Sequence, residues 1–407
     1  MSTLLISLLT SLSIFLIIYH HAGYPLLLHF LSKRLRSNNA IDTGNDTGND
    51  NGRLYQQDLP SISIVIPAYN EEQFIAEKIR NLSILNYPQD KFNIVIASDG
   101  STDSTYETAL KTLKESECRH CAIKVVKFEK NVGKIAILNS LISTIDTEIL
   151  ALSDVSSLIS IDALQLAVKH FRDPAVGVVN GMYRLLNPGS EGEKKYWEYQ
   201  SKLKSDEARL GSVIGSHGAF YLLRTHLFRS LPADTINDDF MIPMQIVKQG
   251  YRSIYDANII ALEMEQAKVS QDSNRRFRIS AGNLQQALRL KSLLLPRYRG
   301  TAFTFASGKV LRVLMPYLMI IAFLGSIYLS FDHTVFLIFG VTQALIYALY
   351  FSLEILNIGD SSKLLQTLKY LLRGHINSLK GSAHYMKFSF QNTISKKTEK
   401  AYQNLIH

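Results

Sequence analysis

Cysteine is almost missing from this chain. Only Cys118 and Cys121 occur in 407 residues, spaced C-x-x-C. One such pair is half of a zinc site, and no second pair completes it. The pair lies in the charged stretch Lys114 to Cys121, ahead of a strand-like run, so two reduced thiols are expected. No G-x-G-x-x-G follows a strand-like run, which excludes the common dinucleotide fingerprint. Gly133-Lys134 lacks the upstream glycine of a phosphate-binding loop and is followed by Ile135, which excludes that ATP motif as well. No module interleaves aromatic and basic residues, so nucleic acid is not expected as a partner. Acids are scarce in two segments. Lys268 to Arg312 holds ten Lys/Arg against Asp272, and Lys363 to the end holds eight against Glu399. The net charge of +9 is therefore concentrated there, and the remainder is close to −7. Basic segments beside apolar runs suit a membrane face with anionic lipid.

What is plentiful is apolar side chain. Hydrophobic residues make up 46% and charged residues 19%, with the excess gathered in a few runs. Thr3 to Leu31 is nearly all apolar, interrupted by His20, His21 and His29 and followed by Lys33, Arg34 and Arg36. A cleaved signal would carry its charge before the apolar core. Here the charge follows, so residues 1–32 read as an uncleaved membrane helix, amino terminus outside. Residues 33–58 form a low-complexity linker in which Thr43-Gly-Asn-Asp repeats at Thr47. Residues 269–308 read as basic interfacial helices, with Leu284 to Arg299 mixing Leu and basic residues. Val313 to Leu329 and Val335 to Leu353 are apolar spans, giving two membrane helices within 309–356, and 357–407 reads as a basic amphipathic tail. Three spans leave the folded domain and the carboxyl terminus in the cytoplasm, as a multi-pass protein of the inner or plasma membrane.

Residues 59–268 alternate β and α patterns. Ile62 to Ile66 is a β-branched run ended by Pro67; Glu71 to Leu85 has helical spacing; Phe92 to Ala97 is a strand. Asp99-Gly-Ser-Thr-Asp-Ser then signals a helix start before Thr105 to Leu113. Ile123 to Phe128 and Ile149 to Leu152 are further strands, with a helix opening near Gly133-Lys134 between them. The alternation predicts a doubly wound, Rossmann-like α/β domain with its ligand at the carboxyl edge of the strands. Leu150-Ala-Leu-Ser-Asp154 delivers a carboxylate to that edge, and Asn237-Asp-Asp-Phe240 adds an acidic pair.

Six segments in this order resemble one family: Val65-Ile-Pro-Ala-Tyr-Asn-Glu-Glu72, Ser98-Asp-Gly-Ser-Thr-Asp103, Gly133-Lys134 with Leu138-Asn139, Ser153-Asp154, Gly215-Ser-His-Gly-Ala-Phe220 and Asn237-Asp-Asp-Phe240. They are similar to inverting family 2 glycosyltransferases of GT-A fold. The relevant branch is the membrane-bound one that includes cellulose, hyaluronan and poly-N-acetylglucosamine synthases. The resemblance implies a hexosyl- or N-acetylhexosaminyl-transferase taking a UDP-sugar donor and a glycan or lipid-linked acceptor. It implies that Ala68, Tyr69 and Glu71 line the uridine pocket, and that Asp99 accepts from uracil or ribose. Lys134 would add a cation or donor near the nucleotide. Asp154 would open a D-x-D motif holding Mg2+ or Mn2+ at the diphosphate. Asp239 would be the base and Asp238 its supporting acid, since adjacent carboxylates repel and raise one pKa. An N-cap pair is the bland reading of the two. His217 and Gly218 would face the acceptor, and Arg275 or Arg276 the diphosphate.

Three positions depart from the family pattern. Ser156 stands where the second D of D-x-D would be, read either as a weak neutral ligand or as a helix cap. Ser273 and Phe277 replace the Gln and Trp of Q-x-x-R-W, which puts processive synthesis in question. Two other functions follow: transfer of one sugar to a lipid carrier, or a catalytically degenerate scaffold subunit of a polysaccharide synthase. Three spans are few for a polymer channel, so a channel would need an oligomer or an export partner subunit.

Overall fold

The computed structural model describes residues 2–40, 59–188, 191–265, 269–356 and 362–406. The chain divides into two units, one of Leu28–Ala267 with Ser292–Thr304, the other of Met1–Leu27, Lys268–Lys291 and Phe305–His407. In chain order the helices are α1 (Ser2–Ile18), α2 (Tyr24–Ala40), α3 (Ile75–Ser83), α4 (Thr105–Thr112), α5 (Lys134–Ile142), α6 (Ala163–His170), α7 (Glu191–Leu210), α8 (Asp238–Lys248), α9 (Val269–Arg289), α10 (Arg299–Thr304), α11 (Leu311–Leu329), α12 (Thr334–Ile355) and α13 (Lys363–Ile406). The strands are β1 (Ile62–Ala68), β2 (Phe92–Asp99), β3 (Ile123–Phe128), β4 (Ile149–Ser153), β5 (Ser157–Ile159), β6 (Val176–Leu185), β7 (Phe220–Arg224) and β8 (Arg252–Glu263).

The first unit is an eight-stranded mixed sheet in the order β3-β2-β1-β4-β7-β6-β8-β5, with helices packed on it. The β3-β2-β1-β4 half is parallel, as βαβ crossovers require. Its strands are β-branched because both faces are covered: Ile62, Ile64, Val65 and Ile66 are fully buried. α3 turns Ile75, Ile79 and Leu82 into the same core. β7 enters antiparallel beside β4, and β5 runs antiparallel along β8. Pro67 does not end β1. It stays in register with Ala97, whereas pairing to β4 has already stopped at Val65. The residue without an N–H therefore sits where only one flank of the strand is still paired. α3 is shorter than its sequence pattern, because Glu71 and Glu72 are held in the preceding loop. On α7, the buried Asp206 accepts from His29 Nδ1 at 3.1 Å and Ser32 Oγ at 2.7 Å, fixing the later part of α2 to this unit.

The second unit is helical. α1 packs along α11, α11 along α12, and α9 along α13. Among the described residues three helices are long and apolar enough to cross a membrane: Thr3–Leu35, Gly300–Leu329 and Thr334–Ile355. Leu4, Leu8, Phe15, Leu324, Ile338 and Leu345 on them point outward, as lipid-facing side chains do. The interfacial helix expected over Leu284 to Arg299 is instead α9 ending at Arg289, two short 3-10 turns and α10. Pro296 opens the second turn, where a helix arriving from its amino side must stop. Beyond Ala40, the low-complexity stretch lies outside the described residues. Cys118 and Cys121 are both free thiols.

Candidate active site

Two loops at the carboxyl edge of the sheet are stitched together residue by residue. Asn70 takes a positive φ of 55°, a conformation Asn tolerates. Its Oδ1 accepts from Thr102 N at 2.8 Å, and its own N–H donates to Ser101 Oγ at 3.2 Å. Glu71 N donates to Thr105 Oγ1 at 2.7 Å, Glu72 N to Asp103 Oδ2 at 3.2 Å, and Ser104 N to Glu72 Oε2 at 3.0 Å. Ala68 is buried at the start of this loop, and Tyr69 beside it is exposed. Sequence reasoning passed over Asn70, although Asn after a strand end is an αL and Asx-turn signal.

Asp99 closes β2 and is buried, and its carboxylate accepts from Val132 N at 2.7 Å and Gly133 N at 2.9 Å. Gly100 and Gly133 both carry positive φ, and a Cβ on Gly100 would lie 2.4 Å from Asn131 N. The segment ahead of α5 is thereby folded over Asp99, so Asp99 positions Lys134 at the first turn of α5.

Lys134 is the centre of the arrangement. Its Nζ lies 2.9 Å from Asp154 Oδ1, off the end of β4, and 3.2 Å from Asp238 Oδ2, at the start of α8. Burial opposes the ammonium charge, but Asp154, Asp238 and Asp239 outweigh it and raise the Lys134 pKa. Asp154 feels the converse: burial works against its charge, yet Lys134 brings its pKa below the ordinary aspartate value. Gly218 O accepts from Asp154 N at 3.2 Å, and a Cβ on Gly218 would sit 2.7 Å from Asp154 Oδ2. The carboxylate is thus confined between a lysine and a bare backbone. Gly218→Ala should displace it and raise the donor KM roughly tenfold, while Tm moves little. Steady-state kinetics beside a thermal melt reads both.

Asp238 and Asp239 occupy the first turn of α8, where the helix dipole favours negative charge. Asn237 precedes them as the cap residue, so the acidic pair is not the cap. Pro243 lies inside α8 and lacks the N–H that would have bonded the Asp239 carbonyl four residues earlier. Ser216 N takes that carbonyl instead, at 3.0 Å. Ser216 Oγ in turn bonds Asn180 Oδ1 at 2.5 Å, tying the Gly215–Gly218 loop to β6. His217 stacks on Tyr183 with ring centroids 3.8 Å apart, and Trp197 stands edge-on at 5.3 Å. His217 Nδ1 accepts from Ala219 N at 3.2 Å, so its proton sits on Nε2 when the ring is neutral. Trp197 packs against the core.

Ser156 does not cap a helix, because β5 follows it directly. Its hydroxyl bonds Glu263 of β8, and its carbonyl accepts from Met264 N at 2.9 Å. Burial raises the Glu263 pKa, helped by Asp154 and Glu265. Burial also raises Glu71, to about 7, with Glu265, Asp154, Glu263 and Asp103 adding repulsion. Lys78 lies wholly buried behind this edge, with Nζ 2.7 Å from Ser153 Oγ and 2.5 Å from Ser157 O, and burial brings its pKa to about 7. Because Glu71 binds its proton more tightly folded than unfolded, stability falls as pH rises from about 4.3 to about 7. Glu71→Gln should flatten that fall and raise Tm at pH 8, by about 2–4 °C per kcal/mol recovered, measured in chelator.

Among the described residues no group of three His, Cys, Asp or Glu could hold a metal ion. Asp154 is the carboxylate at the edge, with Ser156 turned toward Glu263. That donor set fits a Mg2+-type ion, which takes one or two protein carboxylates and completes its shell with substrate phosphate and water. Arg275 and Arg276 fall on α9, but their side chains lie outside the described residues.

Residues 63–231 match the model of glycosyl transferase family 2. The chain is 27% identical over 207 residues to the poly-beta-1,6-N-acetyl-D-glucosamine synthase of Staphylococcus aureus (strain COL), covering 49% of this chain and 48% of that protein. It is 23% identical over 316 residues to the synthase of the same name from Staphylococcus epidermidis, covering 74% and 75%. The chain spans about half the length of most of these curated relatives. In structure it is similar to a mannosyltransferase from Pyrobaculum calidifontis in complex with GDP-Man and Mn2+, with a TM-score of 0.65, 20% identity, and coverage of 91% of this chain and 99% of that one. That likeness is one of fold.

Proposed function

We propose that this chain, whose residues 63–231 form a glycosyltransferase family 2 domain, is a membrane-anchored inverting transferase. It moves a hexosyl or N-acetylhexosaminyl group from a UDP-sugar to a polysaccharide or lipid-linked acceptor. The observation that carries this reading is Lys134 held between Asp154 and Asp238. It joins the carboxylate on the donor side to the acidic pair on the acceptor side. Ala68, Tyr69 and Glu71 border the uridine, in a loop kept in shape by Asn70. Asp99 acts by orienting the Gly133-Lys134 turn.

Asp239 takes the proton from the attacking hydroxyl at its carboxylate as the acceptor oxygen closes on the anomeric carbon. The nucleotide diphosphate leaves from the opposite face, so an α-linked donor yields a β-linked product. Lys134 lies against Asp238 beside the base and keeps Asp154 charged. A divalent cation held by Asp154 and the diphosphate oxygens would neutralise charge on the leaving group. Gly218 and His217 border the acceptor, with the ring held flat by Tyr183.

The bilayer is crossed by the three apolar helices, with the domain and the carboxyl terminus on the cytoplasmic side. Transfer of one or a few sugars is favoured over processive synthesis by Ser273 and Phe277. The Phe277 ring lies against His384 of α13 at 5.2 Å, within the helical unit. A longer product would call for a second copy or an export partner. The test is UDP release by detergent-solubilised protein over a panel of UDP-sugars, with Mn2+, with Mg2+ and with chelator, lipid extract being supplied as acceptor. Release from one donor supports the reading. No release from any donor by folded protein favours a scaffold subunit.

A further inference from the structure

Three elements of the helical unit bring cationic and imidazole side chains together, and the transfer reaction uses none of them. α1 ends in a π-helical turn, Tyr19–Gly23, and a second π turn, Phe305–Val310, precedes α11. Such turns widen the helix and release backbone carbonyls, and they recur at functional sites. Here the two turns lock onto each other. Tyr19 Oη lies 2.9 Å from Ser307 Oγ, and His20 Nδ1 donates to Ser307 O at 3.0 Å. His20 therefore keeps Nε2 for another partner. The His20 and His21 rings stand edge to face at 5.2 Å, and His21 meets His375 of α13 in the same way at 5.2 Å. Arg312, in the first turn of α11, is near enough for its charge to act on all three rings.

The local charge balance is one-sided. Among the described residues no carboxylate pairs with Arg312, which is exposed. Lys309 donates to Asn283 Oδ1 at 2.7 Å. Glu354 of α12 is gripped by Arg373 at 2.7 and 2.9 Å. An unpaired guanidinium beside three imidazoles is a receptor for an anion.

Depth selects which anion. His20 follows Thr3 by seventeen residues, and Arg312 precedes Leu329 by seventeen. At the helical rise, each lies about 26 Å from the far end of its span. A hydrocarbon core about 30 Å thick then puts both at one boundary, the level of the lipid phosphates. A histidine or arginine in a membrane span that is not paired away marks a functional site, and basic pockets between such helices hold headgroups.

We propose that His20, His21, Arg312 and His375 form a receptor for the phosphate group of a lipid. The source is a bilayer glycerophospholipid or a polyprenyl phosphate, both presenting a phosphate on an apolar chain. The receptor is independent of donor turnover, so it stands or falls apart from the transferase reading.

The test uses full-length protein in neutral detergent, with Tm followed as dioctanoyl phosphatidic acid, farnesyl phosphate or inorganic phosphate is added. Tm should rise with one or both lipid phosphates and not with inorganic phosphate at equal concentration. The lipid that raises it names the source. Arg312→Gln should weaken the apparent affinity about tenfold, the loss of one charge-assisted contact, with His375→Asn weakening it less. Should Arg312→Gln not fold, His21→Asn carries the comparison, since His21 is exposed. The proposal is overturned if neither lipid shifts Tm, if inorganic phosphate shifts it equally, or if the variants lower Tm yet respond to lipid as the wild type does. The last result would make the cluster a packing contact.

Discussion

Asp239→Asn should leave a folded protein whose sugar transfer is lowered by about 10²- to 10⁴-fold, the range expected for a general base. The substitution preserves the shape of the side chain and removes the charge that the proposed base role requires. The backbone bonds that hold the first turn of α8 in place do not depend on that charge. The Asp239 carbonyl is bound by Ser216 N because Pro243 cannot bind it, and the first turn of α8 is anchored through Asn237 O and Met241 N. The loss should therefore appear in kcat, with donor KM little changed and the melting curve close to wild type. Steady-state kinetics on the responsive donor reads all three. A variant that retains wild-type kcat would place the base elsewhere.

Lys134→Met should be nearly as damaging, for a different reason. One ammonium serves both Asp154 and Asp238, and its removal leaves two carboxylates facing each other without a cation. Transfer should fall about 10²- to 10³-fold, the cost of losing one preorganised charge at such a site, and donor KM should rise with it. Lys134→Arg, which keeps the charge, should recover part of both. The variant also predicts a pH signature. In the wild type the Asp154 pKa is lowered. Its contribution to stability is therefore complete above the unfolded aspartate pKa of about 3.9 and is lost as pH falls through the lower folded value. Without Lys134 the folded value rises, so the acid limb of Tm against pH should move upward in Lys134→Met. The Lys134 pKa is raised, so its own contribution is complete below about 10.4 and is lost only as pH climbs through the folded value. Melting curves between pH 3 and 6 test the acid limb. An unmoved limb would mean that Lys134 does not hold Asp154 in solution.

The parallel β3-β2-β1-β4 half of the sheet was legible because both strand and helix announce themselves there. Runs such as Ile62 to Ile66 and Ile123 to Phe128 are short and β-branched, and the segments between them hold a helical period. The other half was not read. β6, β7 and β8 join antiparallel and parallel neighbours, with the register shifted between β6 and β8 and no repeating βα unit to reveal them. Glu263 was missed for that reason, since its role depends on β8 lying beside β5. Lys78 was legible in principle. It falls three residues after Ile75 and beside Ile79 on the buried face of α3, where a lysine must find acceptors or lose its charge. Asp99 and Lys134 were picked out by the family resemblance of their segments. That Asp99 acts on the Val132-Gly133 backbone, and that Lys134 bridges Asp154 to Asp238, are facts of tertiary contact that spacing alone does not contain.

The central claim is that Asp239, beside the Asp154–Lys134–Asp238 arrangement, drives a single displacement at the anomeric carbon. The most direct test is the anomeric configuration of the first transferred sugar, read by NMR on product made from an α-linked UDP-sugar donor, with Asp239→Asn as the control. The account predicts a β-linked product from the wild type and none above background from the variant. An α-linked product, or a β-linked product formed equally well by the variant, would contradict it.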